Sequence, residues 1–273
     1  MLSIARSTSQ VERCVENQRL AYYLDAADIG FWDRHWRTHL SPQTYAEAER
    51  GHLGWFEEPF IGYLPQSGRI LEAGCGLGQY VLALRMRGYD VEGVEWGIET
   101  VQAVRALYPD LSIRVGDVTR LEVPDGWYSG YISLGVVEHC QAGPELFLQE
   151  ACRVLEMNGV ALISVPYFHP LRRLKARLGL YRAQPDRLKF YQYAFTEADF
   201  AACLRSAGFV VVGKMPYGGF KGVREEVSWL RLVAKWRGVG WRLERWLQSS
   251  KWIERNLGHM LLFVCRKAQA HDE

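Results

Sequence analysis

A glycine-rich turn joins the first clear strand pattern of the chain to the helix pattern behind it. Residues 69–79 read RILEAGCGLGQ, which places glycine at three alternate positions, Gly74, Gly76 and Gly78. Glycine lets the backbone turn sharply and approach a ligand closely, and the amides at the start of a helix lie just behind such a turn. The segment therefore predicts a ligand-binding loop, with a tight turn that binds nothing as the alternative.

A nicotinamide or flavin dinucleotide is the first ligand to consider, because its pyrophosphate binds turns of the form G-x-G-x-x-G. Two features disfavour it. The third glycine comes one residue too early, since position 79 is Gln79, and the carboxylate of Glu72 precedes the first glycine by two residues. A pyrophosphate gains little from that carboxylate, whereas an ammonium or a sulfonium gains a good deal. Spacing and charge thus favour a cationic ligand over a dinucleotide.

Carboxylates also follow the next three predicted strands. Glu95 ends the second strand, Asp117 follows the third and Glu138 follows the fourth. The carboxyl ends of parallel strands meet at one edge of a sheet, so these acids and Glu72 are expected in one crevice, with no lysine or arginine among them. Glu95 stands where an acid hydrogen-bonds ribose hydroxyls. The set suits a cationic nucleoside.

Strand and helix patterns alternate through this region, which is typical of βαβ units and a mostly parallel sheet. Strands are predicted at 69–73, 90–95, 112–115, 127–134 and 159–165, with helices at 79–87, 98–107 and 144–155. The alternation breaks after Pro166 and resumes with a helix capped by Thr196, a strand at 209–214 and a last strand at 259–266. Residues 1–68, rich in aromatic side chains, are predicted to form helices and loops.

The composition is that of one α/β domain with additions. The chain has 273 residues, of which 48% are hydrophobic and 23% charged, enough for a single buried core. Its six cysteines form no Cys-x-x-Cys pair, which favours free thiols in a reducing cytosol. No secretory signal pattern and no run of 18 apolar residues occurs, so we expect a cytoplasmic protein.

Several segments, in this order, resemble the class I S-adenosylmethionine-dependent methyltransferases: ILEAGCGLG, GVEW, GDV, SLGVVEHC, ACRVLEMNGVALISVP and FTEADFAACLRSAGF. The likeness covers residues 68–166 and 191–214, and it points to the branch that contains the ubiquinone- and menaquinone-pathway enzymes. It implies an α/β, Rossmann-like sheet of seven mostly parallel strands ordered 3-2-1-4-5-7-6, with the last strand antiparallel and helices on both faces. We expect the domain at 68–267, with insertions at about 167–190 and 216–257. Residues 1–67 are expected to be a helical extension or lid, and residues 268–273 a tail.

The resemblance implies S-adenosylmethionine as the cofactor and assigns residues to each part of it. Gly74, Gly76 and Gly78 would line the methionine portion, with Glu72 supporting the loop and Leu134 facing the same portion. These assignments come from the family motif, position by position.

The nucleoside end is assigned in the same way. Glu95 would hold the ribose hydroxyls, and Trp96 would lie beside the adenine, or else be a core aromatic. Asp117 would accept from the adenine amino group, and Val118 would supply a backbone donor. Gly135 stands where the ubiquinone O-methyltransferases carry a glutamate that helps bind a metal, so we predict no metal and no catechol substrate.

Methyl transfer from a sulfonium mainly needs the acceptor to be positioned and water excluded, and a base helps only if the acceptor must lose a proton. His139, after strand four, is the leading candidate for that base, although Glu138 and His139 could instead fix the loop. His169, after strand five, is the second candidate. Tyr167, Tyr191 and Tyr193 could line the acceptor pocket or simply pack. A non-catalytic module with this fold, and a dinucleotide-dependent oxidoreductase, are the competing functions.

Positive charge concentrates in two segments although the net charge is only +2. Residues 172–189 hold seven basic residues and one acid, and residues 229–255 hold seven and two, with Trp229, Trp236 and Trp252 interleaved in a basic amphipathic pattern. These tryptophans could pack on the domain. The alternatives are contact with an anionic membrane at its inner face, or capture of a small-molecule, lipid-linked or sugar acceptor that is anionic. The near-neutral charge and the missing motifs disfavour nucleic acid.

Overall fold

The computed structural model describes residues 11–24, 29–181, 187–227 and 250–268, and within these ranges the chain forms two sheets. The strands are β1 (Glu12–Glu16), β2 (Arg19–Leu24), β3 (Arg69–Ala73), β4 (Asp90–Glu95), β5 (Ile113–Val115), β6 (Tyr128–Leu134), β7 (Leu155–Pro166), β8 (Lys189–Ala194), β9 (Phe209–Tyr217) and β10 (Met260–Lys267). The larger sheet has seven strands in the order β5-β4-β3-β6-β7-β10-β9. Strand β10 runs antiparallel to both neighbours, and the pairs among β3 to β7 are parallel. The predicted order 3-2-1-4-5-7-6 is confirmed.

Helices cover both faces of the seven-stranded sheet. They are α1 (Ile29–His39), α2 (Pro42–Ala46), α3 (Glu57–Tyr63), α4 (Gln79–Met86), α5 (Ile98–Leu107), α6 (Glu145–Val154), α7 (Pro170–Arg177), α8 (Glu197–Ser206), α9 (Gly219–Glu226) and α10 (Lys251–Leu257). Successive strand residues point to opposite faces, so Ile70 packs with α3, α4 and α5, while Leu71 packs with α6 and α8. Because both faces are buried, a central strand such as β7 carries a continuous apolar run at residues 160–163.

The predicted elements of the core lie within a few residues of the observed ones. Strands β3 and β4 and helix α5 match their predicted bounds, and strand β7 is longer than expected because it already begins at Leu155. The hydroxyl of Thr196 accepts a hydrogen bond from the Asp199 amide at 3.1 Å, which confirms the predicted N-cap of α8.

The expected helical N-terminal extension needs a correction, because its first described part is a hairpin. Strands β1 and β2 pair antiparallel around Asn17 and Gln18, which have φ angles of 47° and 66°. Strand β2 also pairs antiparallel with β8, so the three strands form a second, smaller sheet. Helical structure follows only from residue 29 onward. The insertion after β7 thus leads into β8, which is an edge strand of this small sheet.

A buried cluster of charges joins the small sheet to the two insertions. Arg172 has no exposed surface; its Nε donates to Glu226 Oε1 at 3.1 Å and its Nη2 to Glu225 Oε2 at 2.9 Å. Glu226 also accepts from Arg13 of β1 and from Lys175 Nζ, the latter at 2.7 Å. Burial alone would raise the pKa of Glu226, but Lys175, Arg13 and Arg172 together hold it at about 2. Two basic residues of the 172–189 segment, Arg172 and Lys175, therefore pair with a buried acid inside the protein.

The tryptophan-rich segment is described only at its end. Trp229, Trp236 and most of the basic segment 229–255 lie outside the described residues. Within α10, Ile253 is buried against Val223 of α9, while Trp252 is 66% exposed. Among the helices of the described ranges, none is long and apolar enough to cross a bilayer.

Candidate active site

The predicted glycine loop connects β3 to α4 with its three alternate glycines in the left-handed region. Gly74, Gly76 and Gly78 have φ angles of 76°, 51° and 67°, which residues with a Cβ rarely adopt. A Cβ added at Gly76 would lie 2.6 Å from the ring of Trp36, and one added at Gly74 would strike Val136. The glycines are therefore required both by the turn and by the close approach of neighbouring side chains.

Glu72 is buried beneath this loop with one oxygen unpaired. Burial raises its pKa to about 8, against the opposing effect of a hydrogen bond from the Val81 amide in the first turn of α4. The carboxyl thus contacts the start of α4, while the expected role of Glu72 in supporting the loop around a cofactor stays a prediction. Its Oε2 makes no hydrogen bond within the described residues, and no ion pair to a lysine or arginine is found there. An unpaired buried carboxyl oxygen is costly, and a cation beside the loop would satisfy it.

Glu95 bridges the glycine loop and the turn after β4. Its Oε2 accepts from the Gly76 amide at 2.8 Å and its Oε1 from the Gly97 amide at 3.0 Å. Burial raises the pKa of Glu95, and these amides oppose the shift. Each oxygen keeps a lone pair for a further donor, such as a ribose hydroxyl. The adjacent Trp96 is 56% exposed, which excludes the alternative interpretation of Trp96 as an aromatic residue of the core.

The remaining cofactor candidates lie at the same edge of the sheet. Asp117 follows β5 and is exposed; its Oδ1 accepts from the amide and the hydroxyl of Thr119 at 2.8 and 2.7 Å. Val118 is buried, and Leu134 is half-buried at the end of β6. The fold thus gathers the strand-end residues, while their contacts with a nucleoside stay predictions.

His139 lies in a short 3-10 turn, Val137–His139, directly after β6. Its Nδ1 is 2.7 Å from the carbonyl oxygen of Tyr191, which can only accept, so Nδ1 carries the proton. Burial lowers the pKa of His139 to about 4, which keeps the ring neutral. Nε2, which this tautomer leaves unprotonated, lies 4.0 Å from Glu138 Oε1, and the backbone of Gly135 also lies within hydrogen-bonding reach of the ring. This is the tautomer that a base at Nε2 requires.

His169 occupies a different environment from His139. It is fully buried, and its Nδ1 caps α7 by accepting from the Arg172 amide at 3.4 Å. Burial, followed by the charge of Arg172, lowers the pKa of His169 to about 3. Its catalytic role stays a prediction, and the geometry favours helix capping.

The three candidate tyrosines also lie in different environments. Tyr191 of β8 packs against His139, with ring centroids 4.9 Å apart. Tyr193 is buried in the core beside the small sheet, and Tyr167 packs 6.1 Å from the ring of His169. Of the three, Tyr191 joins the site. Tyr217, not anticipated, donates to Ser164 Oγ at 3.0 Å near the end of β7.

Helix α1 covers the site from above. Trp36 lies on Gly76, and Trp32 packs edge-on against His139 with centroids 4.7 Å apart. Asp33 Oδ1 accepts from the amide of Thr100 at 3.0 Å and from its hydroxyl at 2.8 Å, which fastens the helix to the start of α5. Helix α1 is the part of the expected N-terminal extension that packs over the site, and its action as a lid stays a prediction. Asp33 is a functional candidate that no local sequence signal marked. No group of three or more potential metal ligands occurs within the described ranges.

The sequence comparisons agree with this geometry. Residues 71–163 match the family described as "Methyltransferase domain". A protein of Mycolicibacterium smegmatis, described as a probable S-adenosylmethionine-dependent methyltransferase, is 33% identical over 117 residues, 41% of this chain and 45% of that protein. Ajmaline N-methyltransferase of Rauvolfia serpentina is 26% identical over 177 residues, 56% of this chain and 60% of that protein. The chain thus spans about half the length of these curated relatives.

Solved structures share the fold at low identity. The methyltransferase in complex with the Trm112 activator of Haloferax volcanii has a TM-score of 0.58 at 17% identity, covering 90% of this chain and 98% of that one. The 1,6-didemethyltoxoflavin-N1-methyltransferase of Burkholderia thailandensis has a TM-score of 0.54 at 16% identity, covering 94% and 100%. These matches do not separate the ubiquinone-type branch from others. The family match shows a methyltransferase domain at residues 71–163, and the sheet order and the glycine loop with its acids are those expected of the class I S-adenosylmethionine-dependent fold.

Proposed function

We propose that the chain binds S-adenosylmethionine and transfers a methyl group to a small-molecule acceptor. The observation that carries the proposal is the pair of buried acids on the glycine loop. Glu72 keeps an unpaired oxygen, and Glu95 holds the loop through two amides while retaining lone pairs. Both carboxyls lie without a lysine or arginine partner among the described residues, which suits a ligand with an ammonium, a sulfonium and a ribose.

The cofactor would supply a methyl group already activated on its sulfonium. Glu72 would face the cationic end, Glu95 the ribose, and the exposed ring of Trp96 together with Asp117 and the Val118 backbone the adenine. Gly74, Gly76, Gly78 and Leu134 would border the methionine portion. Helix α1 would exclude water, and His139 Nε2 would accept a proton where the acceptor must lose one.

Binding by calorimetry tests this proposal directly. Purified, cofactor-stripped protein is titrated with S-adenosylhomocysteine and, as a matched comparison, with NAD. We expect heat and saturation with S-adenosylhomocysteine only. No heat at millimolar S-adenosylhomocysteine would refute the proposal, and binding of NAD alone would favour the oxidoreductase alternative. Binding without methyl transfer to any extract, followed with labelled methyl groups, would favour a non-catalytic module.

The basic segments support a narrower proposal, that the acceptor is met at an anionic membrane surface or carries an anionic lipid or sugar group. Arg173 and Arg177 of α7 are exposed, as is Trp252. Arg172 and Lys175 are not available, because they pair with Glu226. Each exposed basic residue near an anionic bilayer contributes about 1 kcal/mol, which salt screens. Cosedimentation with anionic and neutral vesicles at low and high salt tests it; equal, negligible binding to both vesicle types would exclude the membrane.

A further inference from the structure

Four side chains from three elements meet beyond the glycine loop, and we call them the acceptor chamber: Trp32 of α1, Glu138 and His139 of the turn after β6, and Tyr191 of β8. The ring centroids of Trp32 and Tyr191 are 6.1 Å apart and nearly parallel, and both rings pack against His139. The carboxyl of Glu138 lies beside the imidazole. The chamber therefore combines flat aromatic faces with one acid.

Glu138 is the unusual member of this chamber. It is 2% exposed, and its Oε2 makes no hydrogen bond within the described residues. Burial raises the pKa of Glu138 to about 8, against a hydrogen bond from its own amide. Its Oε1 lies 4.0 Å from Nε2 of the neutral His139, and no ion pair to a lysine or arginine occurs in the described part of the chain. A buried carboxyl left in this state costs free energy that a positively charged ligand would recover.

The other members of the chamber favour the same charge. His139 has an unprotonated Nε2, because its Nδ1–H donates a hydrogen bond to the Tyr191 carbonyl oxygen. The faces of Trp32 and Tyr191 carry the negative part of the ring quadrupole, which attracts cations. An anionic group would meet a carboxyl, a lone pair and two ring faces. The chamber thus selects against an anion at the reacting atom, whatever charge the rest of the acceptor carries.

We propose that the acceptor chamber binds a primary or secondary amine as its ammonium, held by Glu138 between the rings of Trp32 and Tyr191, so that the chain is an N-methyltransferase. The proposal rests on the proposed function, because it names the acceptor of that same site. It assigns Glu138 as an acceptor-binding residue and His139 as the proton acceptor.

The reaction balances with these groups. The carboxyl of Glu138, neutral in the empty chamber, releases its proton to solvent as the ammonium binds. The new carboxylate, 4.0 Å from His139 Nε2, raises the pKa of the imidazole. The ammonium then gives one proton to His139 Nε2, and the nitrogen lone pair forms the N–C bond. The C–S bond of the methyl donor breaks at the same time, its electron pair stays on sulfur, and the donor leaves as a neutral thioether. The methylated nitrogen carries the positive charge, which the Glu138 carboxylate continues to balance. The proton on His139 passes to solvent when the product leaves.

Three ligands on one flat aromatic scaffold test the proposal: tryptamine, tryptophol and indole-3-propionate, which differ in bearing an amine, an alcohol and a carboxylate. Each is titrated by calorimetry into wild-type protein saturated with S-adenosylhomocysteine. We expect tryptamine to bind at least about tenfold more tightly than the other two. Equal affinities, tighter binding of the carboxylate, or no binding by any of the three would overturn the proposal. If S-adenosylhomocysteine itself fails to bind, the proposed function fails instead.

A conservative variant assigns the preference to one residue. Glu138→Gln keeps the shape of the side chain and removes its charge, so the affinity for tryptamine should fall about tenfold while that for S-adenosylhomocysteine stays within about twofold. The control is Glu156→Gln, which changes an exposed acid of β7 and should leave both affinities unchanged. An unchanged tryptamine affinity, or an equal loss for both ligands, would show that Glu138 does not hold the amine. The wild-type comparison needs no variant and stands even if Glu138→Gln does not fold.

Discussion

Three buried glutamates of the site are in two different states because their neighbours differ. Glu95 gives an oxygen to each of two loop amides, whereas Glu72 and Glu138 each leave one oxygen unpaired. Burial raises the pKa of all three, and it raises that of Glu72 and of Glu138 to about 8. The two acids are neutral when no cation is near them. When a cation binds beside them, they can ionise and pair with its charge, which favours binding of the cation.

The first prediction concerns Glu95. Glu95→Ala should weaken S-adenosylhomocysteine binding by about 1–3 kcal/mol, the usual scale for a lost hydrogen bond to a charged group. The amides of Gly76 and Gly97 also lose their acceptor, which loosens both loops. Calorimetry measures the change, with Glu122→Ala, an exposed acid before β6, as the control. Equal affinity in the two variants would place the ribose contact elsewhere.

The second prediction concerns pH. The pKa of Glu138 rises from its ordinary value of 4.5 to about 8, so between these values the folded chain binds more protons than the unfolded chain. Its contribution to stability is therefore complete below the lower value and is lost as the pH rises through the upper one. Urea unfolding from pH 5 to pH 9 should show a smaller decline for Glu138→Gln than for the wild type. Parallel curves would contradict the buried, neutral state of this carboxyl.

Helix α1 acts as the cover of the site through two adjacent rows of side chains. Trp32 and Trp36, four positions apart, face His139 and Gly76. Asp33 and Arg37, also four apart, face α5, where Asp33 meets Thr100 and Arg37 pairs with Glu99. The N-cap residue of α5 is Gly97, which has no side chain, so Asp33 supplies the missing capping oxygen from a distant helix.

The third prediction therefore separates these two contacts. Asp33→Ala should remove a cap worth about 0.5–2 kcal/mol and release the cover, so S-adenosylhomocysteine should dissociate faster and chymotrypsin should cut at Trp32 sooner. Arg37→Ala is the matched control, because it removes an exposed ion pair worth about 0–1 kcal/mol. Stopped-flow dissociation and limited proteolysis provide the measurements. If both variants behave alike, the Asp33 contact does not hold the cover.

Elements that depend on local pattern were predictable from the sequence, and those that depend on distant partners were not. Gly74 and Glu95 could be placed because strand-end positions follow from alternating strands and helices. Asp33 could not, since its partner Thr100 is remote in sequence and an aspartate among aromatics has no distinctive spacing. The β1–β2 hairpin was missed because its turn, at Asn17 and Gln18, lacks the glycine that usually marks one.

The stability of the whole molecule depends in part on the buried charges around Glu226, because they connect β1, α7 and α9. Removing one partner of such a group leaves the others buried without compensation. Arg172 has no exposed surface and would keep Glu225 as its single carboxylate among the partners described above. This cluster of charges therefore stabilises the contact between the small sheet and the insertions.

The fourth prediction follows from that contact. Glu226→Ala should lower the free energy of unfolding by about 3–5 kcal/mol, measured in urea, while Glu156→Ala should change it little. The pKa of Glu226 is held at about 2, so its contribution is present above its ordinary value of 4.5 and is lost as the pH falls. The difference between wild type and variant should therefore shrink under acid. A constant difference down to pH 2 would contradict the pairing.

The small sheet also sets an order of events during synthesis. Leu20 of β2 pairs with Ala194 of β8, and at about 5–20 residues per second the ribosome needs roughly 10–35 s to make the roughly 170 residues between them. Strands β3 to β7 can collapse on the helices between them during that interval, since their contacts are more local. Helix α1 contacts Gly76 and Thr100, which are synthesised well before Tyr191 of β8. A nascent chain can therefore place helix α1 on its glycine loop before the side of the chamber formed by Tyr191 has been made.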